Sequence, residues 1–478
     1  MTGLIFSYTD WQAKLVPEIE THFGGKVLHI GRRTKPLSSP SIRSLKGFAP
    51  FEPEGPLPIL PNAEKFEDRF LSDYLDQMTR YSKGFANRAH QLERYYEYRD
   101  HFHLTARKVL AYLQRNDIVS ILFFNIPHTG DDYLFYRVAE WIGIPLVLLV
   151  SSLFRQRFFS CSHLEDFGFL NTANSQTEAG IAERLDEELR QSVQVYMGGS
   201  YSSLAKRNTG GATIAAFAIL TSRCPRLLFQ PRKFQRALAE VKRIKISLGK
   251  YRRTKNEIVR GRKGAIFLNW MSGLERDIDA LPEKIIYFAM HYQPEMTSSP
   301  QGGRYADQAL LIEQLAQRLP DGFTLVAKEN PLQAAKQRSP EFMERVALCE
   351  KVIVAHPEMD TKALIERSQL VATITGTVGW EAIKAGKPCL SFGYSWYRSC
   401  HGVTQYTEDI DLGSVLEIRP SKEETDRFLA DLMSKTHDGV IYEAFLKDHS
   451  EAFARENKAS LAKLFGRLML QEIEPTFG

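Results

Sequence analysis

Between residues 284 and 392, five short apolar runs alternate with stretches of helical character, and this alternation constrains the fold more than any other feature of the chain. The runs are Lys284–Met290, Phe323–Lys328, Val352–Ala355, Leu370–Thr375 and Pro388–Phe392. The helices expected between them are Tyr305–Leu319, Pro340–Cys349, Lys362–Arg367 and Val378–Ala385. Runs this short and uniformly apolar read as strands buried on both faces, and strands separated by helices pair in parallel. Right-handed crossovers then bring every strand-to-helix loop to one edge of the sheet, where ligands of open α/β sheets bind.

The N-terminal half carries units of the same kind. Strands are expected at Leu4–Tyr8, Lys26–Ile30, Ile118–Phe124 and Ile144–Val150, with helices at Trp11–His22 and Asp131–Ile142. Seven of the 22 prolines lie between Pro36 and Pro61, a density that forbids helix interior and sheet centre. Glu64 to Arg115 is helical in character, and Thr177–Met197 reads as an acidic helix. Lys422–Met433 and Ile441–Leu470 close the chain as helices. The fold class expected is therefore α/β, with two Rossmann-like doubly wound domains facing a cleft.

Composition narrows the function classes. With 43% hydrophobic and 25% charged residues, the chain has the profile of a folded globular protein. No apolar run reaches the ~18–20 residues needed to span a bilayer. The five cysteines are scattered without a C-x-x-C pair, so neither a disulfide framework nor a thiolate zinc site is expected. The net charge of +5 is unevenly spread: Ser222–Lys263 holds fifteen Lys or Arg against Glu240 and Glu257, a local +13 that leaves −8 for the rest. Such a block, preceded by the apolar stretch Ala212–Leu220, suits an anionic membrane surface. A solvated basic helix against an acidic neighbour is the competing explanation. No nucleic-acid-binding signature accompanies it, and nucleic acid is not expected as a partner.

Candidate chemistry sits at the strand ends. After Leu370–Thr375 the chain runs Thr375-Gly376-Thr377-Val378-Gly379-Trp380-Glu381, a strand entering a helix through Gly-Thr. Backbone N–H groups and hydroxyls at such a turn suit the phosphates of a nucleotide sugar, and Glu381 suits ribose hydroxyls. The two glycines are equally explained by a tight turn. Gln293 and Glu295 follow the first strand of this half, and Lys328-Glu329-Asn330-Pro331 the second. Gln293, Lys328, Glu329, Asn330 and Pro331 join the expected donor contacts. In the N-terminal half, Ile118–Phe124 ends in a loop with His128, Asp131 and Asp132, where an acceptor hydroxyl needs its general base. One aspartate is expected to cap the following helix and the other to face the ligand, with Glu295 the next catalytic candidate. Arg155 and Arg157 are expected contacts for an anionic acceptor. No P-loop, dinucleotide fingerprint or nucleophile elbow is present, and neither metal nor cofactor is expected.

Several of these segments resemble the capsular and surface polysaccharide biosynthesis proteins of bacteria. The matching stretches are Tyr287–Glu295, Lys328–Pro331, Thr375–Ala382, Gly386-Lys387-Pro388 and Phe392–Tyr397, about 110 residues in span, with a weaker echo in His128–Pro145. That family is similar to retaining β-Kdo transferases that use CMP-Kdo, and the resemblance implies a two-domain glycosyltransferase B fold. Asn330 stands where such relatives often carry His, and a neutral amide supplies no imidazolium beside a donor phosphate. The expectation is a cytoplasmic glycosyltransferase, peripheral at the inner membrane, moving a sugar from a nucleotide-sugar donor to a lipid-linked or glycan acceptor. Residues 1–205 would form the acceptor domain, 206–265 the basic connecting segment, 266–440 the nucleotide-sugar domain, and 441–478 helices that pack back. A nucleotide-sugar epimerase of the same fold and a non-catalytic assembly or export factor are the alternatives.

Overall fold

The structure, a computed structural model, describes residues 1–31, 42–44, 56–80, 94–154, 156–170, 181, 185–186, 266–267, 269–293, 295–333, 338–446 and 449–478. The segment Ser222–Lys263, the preceding Ala212–Leu220, Arg155 and nearly all of Thr177–Met197 lie outside these residues.

The first sheet has seven strands: β1 (Thr2–Ser7), β2 (Lys26–Gly31), β3 (Ile42–Ser44), β4 (Ile118–Phe123), β5 (Leu146–Ser151), β6 (Arg157–Cys161) and a terminal strand at His437–Asp438. Their order is His437–Asp438, β6, β5, β4, β1, β2, β3. β3 to β5 pair in parallel, while β6 is antiparallel to both β5 and His437–Asp438. The largely apolar character of β1 and β4 has the expected cause. Leu4, Phe6, Ile121 and Phe123 enter the core on one face, whereas Ile5, Leu122 and Phe124 enter the core on the other. One face is covered by α2 (Ala63–Arg80), α3 (Tyr95–Arg115) and α4 (Asp131–Trp141), which contribute Phe66, Phe70, Tyr74, Phe102 and Phe135. The other is covered by α1 (Val16–Phe23) and by the helix Glu451–Met469, through Leu461, Phe465 and Leu468. Each such side chain contributes about 1.5–3 kcal/mol on full burial.

The second sheet continues the numbering with β7 (Ile285–Ala289), β8 (Thr324–Lys328), β9 (Val352–Ala355), β10 (Leu370–Thr373), β11 (Cys389–Ser391) and β12 (Val403–Gln405), in the order β12, β11, β10, β7, β8, β9. Its helices are α5 (Gln308–Arg318), α6 (Pro340–Ala347), α7 (Thr361–Arg367) and α8 (Thr377–Lys384). The side-chain oxygens of Asp307, Ser339 and Asp360 cap the first three of these. The fold class is thus α/β with two doubly wound sheets. By contacts the chain forms two compact units: the described residues of 1–193, 294–306 and 370–478, and those of 194–293 and 307–369.

Several elements differ from expectation. The helix expected at Trp11–His22 is broken into Asp10–Ala13 and Val16–Phe23, because Pro17 fits only the first turn of a helix. Ile441–Leu470 likewise divides into Glu443–Leu446 and Glu451–Met469, the latter restarted by a Ser450 cap. The short strands β3, β6, β12 and His437–Asp438 were not expected.

Candidate functional site

In the first sheet the chain runs outward from β1 to β2 and β3 on one side and to β4 and β5 on the other. The switch point of its parallel part therefore lies between β1 and β4, where open α/β sheets bind ligands. The residues following these two strands meet there. The Tyr8 hydroxyl, just past β1, donates to Asp132 Oδ2 at 2.9 Å, and the Tyr8 and His128 rings lie 6.1 Å apart at 26°. Asp132 is fully buried and holds the loop: Oδ1 accepts from the N–H groups of Thr129 and Tyr133, both at 2.8 Å, and Oδ2 from that of His128 at 3.3 Å. His128 Nδ1–H donates to the Ile126 carbonyl at 2.7 Å.

Asp131 is the chemically distinctive member of this loop. It opens α4 behind Gly130, whose φ of 89° lies in the region that favours glycine. Its side chain is buried, and its Oδ1 has no partner among the described residues. Burial, and secondarily the charge of Asp132, push its carboxyl up to about 7. Such a group exchanges a proton near neutrality. Beneath the same edge, Ser7 Oγ and His29 Nε2 lie 2.7 Å apart, both buried, and burial pulls His29 down to about 4. Its imidazole is therefore neutral at physiological pH. Tyr8, Ser7 and His29 were not among the expected residues. Their only signal was position at the ends of β1 and β2.

At the end of β10, Gly376 precedes α8 with φ −70°. Its N–H is taken by Thr373 Oγ1 at 3.2 Å, its carbonyl accepts from Gly379 N–H at 3.1 Å, and the Tyr397 hydroxyl also donates to that carbonyl. The N–H groups of Thr377 and Val378 carry no partner among the described residues and remain suited to an anion. Gly379 is fixed by packing: a Cβ there would lie 2.3 Å from Tyr397 Oη and 2.7 Å from Cys389 Sγ. Thr375 Oγ1 donates to the Thr297 carbonyl at 2.8 Å, and Thr297 Oγ1 donates to Glu295 Oε2 at 2.9 Å. Burial raises the Glu295 carboxyl, with the Thr297 bond opposing. Glu381 is exposed.

In the second unit the expected donor residues are drawn into a different pattern. Glu329 and Arg338 form an ion pair whose side chains are both 0% exposed. The Asn330 N–H also donates to Glu329 Oε1, at 2.8 Å, so both carboxylate oxygens are occupied. Arg338 Nη1 donates to Gln293 Oε1 at 2.8 Å and Nη2 to the His291 carbonyl at 3.3 Å. Burial, with the Arg338 charge second, pulls His291 down to about 4. Asn330 Oδ1 accepts from Leu332 N–H at 2.9 Å, a local turn, and Pro331 is exposed. Lys328 Nζ donates to Thr361 Oγ1 at 2.5 Å. Arg157, the other expected anion contact, donates to the Met433 carbonyl at 3.0 Å and to Thr436 Oγ1 at 2.9 Å, stapling β6 to the end of helix Lys422–Lys435.

Among the described residues no helix is long and apolar enough to cross a membrane, and no cluster of three potential metal ligands occurs. Residues 296–441 match the family described as capsule polysaccharide biosynthesis protein. Solved structures with similar chains include the β-Kdo 2,7-transferase KpsC of Thermosulfurimonas dismutans, at 12% identity over 90% of this chain and 89% of that one, with a TM-score of 0.30. They also include UDP-GlcNAc 2-epimerases. That of Methanocaldococcus jannaschii is 9% identical over 91% of this chain and all of that one, TM-score 0.23. That of Neisseria meningitidis, bound to UDP-GlcNAc, is 12% identical over 98% and 100%, TM-score 0.20. No curated protein matches the chain. The chain resembles the capsule and surface polysaccharide biosynthesis enzymes, and the resemblance is carried by the segment that begins beside Glu295 and includes the Thr375–Glu381 turn.

Proposed function

We propose that this chain is a nucleotide-sugar-handling enzyme of capsule or surface polysaccharide biosynthesis. Its class is supported by the family match over residues 296–441. Its chemistry is carried by one observation: the buried Asp131 carboxyl, poised near neutrality in the loop that also holds His128. In this reading the turn opening α8 takes the nucleotide phosphates on the N–H groups of Thr377 and Val378, and Glu381 takes ribose hydroxyls. Gln293 and the Lys328–Pro331 loop form a separate element of donor recognition, with Glu329 acting through the loop it holds.

Two reactions fit the class. Transfer to a lipid-linked or glycan acceptor uses Asp131 as a base on the attacking hydroxyl or as a nucleophile, with Glu295 next in line and with Arg155 and Arg157 on the acceptor side. Its setting is the cytoplasmic face of the inner membrane, reached through Ser222–Lys263. Epimerisation of the nucleotide-bound sugar removes and returns a proton with no second substrate. A base and an imidazole in one strand-end loop favour it, since both partners of such an exchange are then at hand.

The test is a panel of CMP-, UDP- and GDP-sugars incubated with the full chain, with and without a lipid-linked glycan, and followed by NMR. Conversion of the sugar without acceptor identifies the epimerase, and acceptor-dependent release of nucleotide identifies the transferase. Failure of every donor to bind or turn over would leave the assembly-factor reading and refute an enzyme of this class.

A further inference from the structure

We infer that Arg338 is a positioning residue that sets the geometry of the loops after β7 and β8 in the second unit. The inference rests on the nucleotide-sugar reading above and assigns Arg338 no contact with the ligand. Its guanidinium spans two loops that lie apart in sequence. On one side are both oxygens of Glu329, after β8; on the other are the Gln293 side chain and the His291 carbonyl, after β7.

Two glutamines complete the grip. Gln308 takes the His291 N–H on Oε1 at 2.8 Å and donates Nε2 to the His291 carbonyl at 3.1 Å. Gln333 does the same to Gln293, at 2.9 and 3.1 Å. Alternate residues of the segment after β7 are thus held through their backbone by side-chain amides. Arg338 joins that segment to the turn Glu329–Gln333.

The cost of this arrangement argues for a purpose beyond stability. A buried ion pair contributes little over apolar residues of the same volume, because both charges are withdrawn from water. A planar fork with fixed donor directions is instead suited to setting geometry. Here it orients the Gln293 amide and the backbone of residues 329–333, the elements proposed to meet the donor. Arg338 carries no sequence signal of its own: it lies outside every apolar run and outside the Lys-Glu-Asn-Pro stretch.

The test compares the wild-type chain with Arg338→Met/Glu329→Leu, which removes both charges together, and with Arg338→Lys, which keeps the charge and loses the fork. CMP and UDP are the probes, titrated calorimetrically into the full chain, and amide hydrogen exchange is measured without nucleotide. The double variant is expected to fold with a Tm near wild type. It should bind nucleotide at least tenfold more weakly and exchange faster at His291, Gln293, Asn330, Leu332 and Gln333. Arg338→Lys is expected to shift both readouts the same way, and carries the comparison should the double variant not fold. A folded variant with wild-type affinity and wild-type exchange at those amides overturns the inference. If the wild-type chain binds neither CMP nor UDP, the exchange data decide alone. Faster exchange then upholds the positioning role, and unchanged exchange refutes it.

Discussion

Replacing Asp131 by Asn probes stability and chemistry at once, and the two readouts move in opposite directions with pH. The folded-state value of about 7 lies above the unfolded 3.8 because burial disfavours the carboxylate. The native state therefore holds a proton that the unfolded chain releases between pH 3.8 and 7, and stability falls as pH rises through that window. At 1.36 kcal/mol per unit the full penalty above pH 7 is about 4 kcal/mol, of which less than half is already present at pH 5. The amide of the Asp131→Asn variant carries no charge and escapes it. Wild type should thus lose about 3 kcal/mol more than this variant between pH 5 and pH 8, read from urea midpoints at constant slope. Activity runs the other way, since a base works ionised: wild-type kcat/KM should rise through pH 7, and the variant should lose activity by orders of magnitude with donor affinity retained. Parallel stability–pH curves for the two proteins would show that Asp131 is not held protonated, and the assignment of its role would fall with that result.

Gly376→Val leaves an allowed backbone, since φ is −70°, but sets a branched side chain beside the N–H groups of Thr377 and Val378. Nucleotide affinity should vanish in a folded protein, and unchanged calorimetric binding would exclude this turn as the phosphate site. Gly379→Ala should lower stability by about 1–3 kcal/mol through overpacking against Tyr397 and Cys389. A Tm equal to wild type would show that those side chains yield freely. Reversing Lys242, Arg243, Arg252 and Arg253 to Glu should weaken binding to anionic liposomes by roughly three powers of ten, at ~1 kcal/mol per residue. Co-sedimentation unaffected by salt or by these changes would place Ser222–Lys263 away from lipid.

The strands that were legible in the sequence are those buried on both faces. Ile118–Phe123 and Leu370–Thr373 are apolar at nearly every position because each face of a parallel sheet is covered by helices. Arg157–Cys161 and Val403–Gln405 are short and mixed in polarity, and nothing local distinguishes them from loops. The carboxylates of the candidate site were legible as residue types. Their division of labour was not, because Asp132 is recruited by a tyrosine 124 positions away. Glu329 illustrates the same limit. Beside Lys328 it reads as a ligand contact, yet its oxygens are committed to an arginine nine residues on, and no periodicity encodes that pairing.

The far edge of the first sheet has a consequence for how the polypeptide is made. β6 is covered by His437–Asp438, whose imidazole meets Ser160 Oγ at 2.7 Å, and the backbone around Ser160 is closed by Thr476 and Phe477. These partners emerge from the ribosome roughly 280 to 320 residues after β6, or about 15–65 s later at 5–20 residues per second. During that interval the nascent chain carries an uncapped hydrogen-bonding edge able to recruit any passing strand. The first sheet is therefore completed only once residues 437 and beyond have been made, which makes the N-terminal half a poor cassette for transplantation.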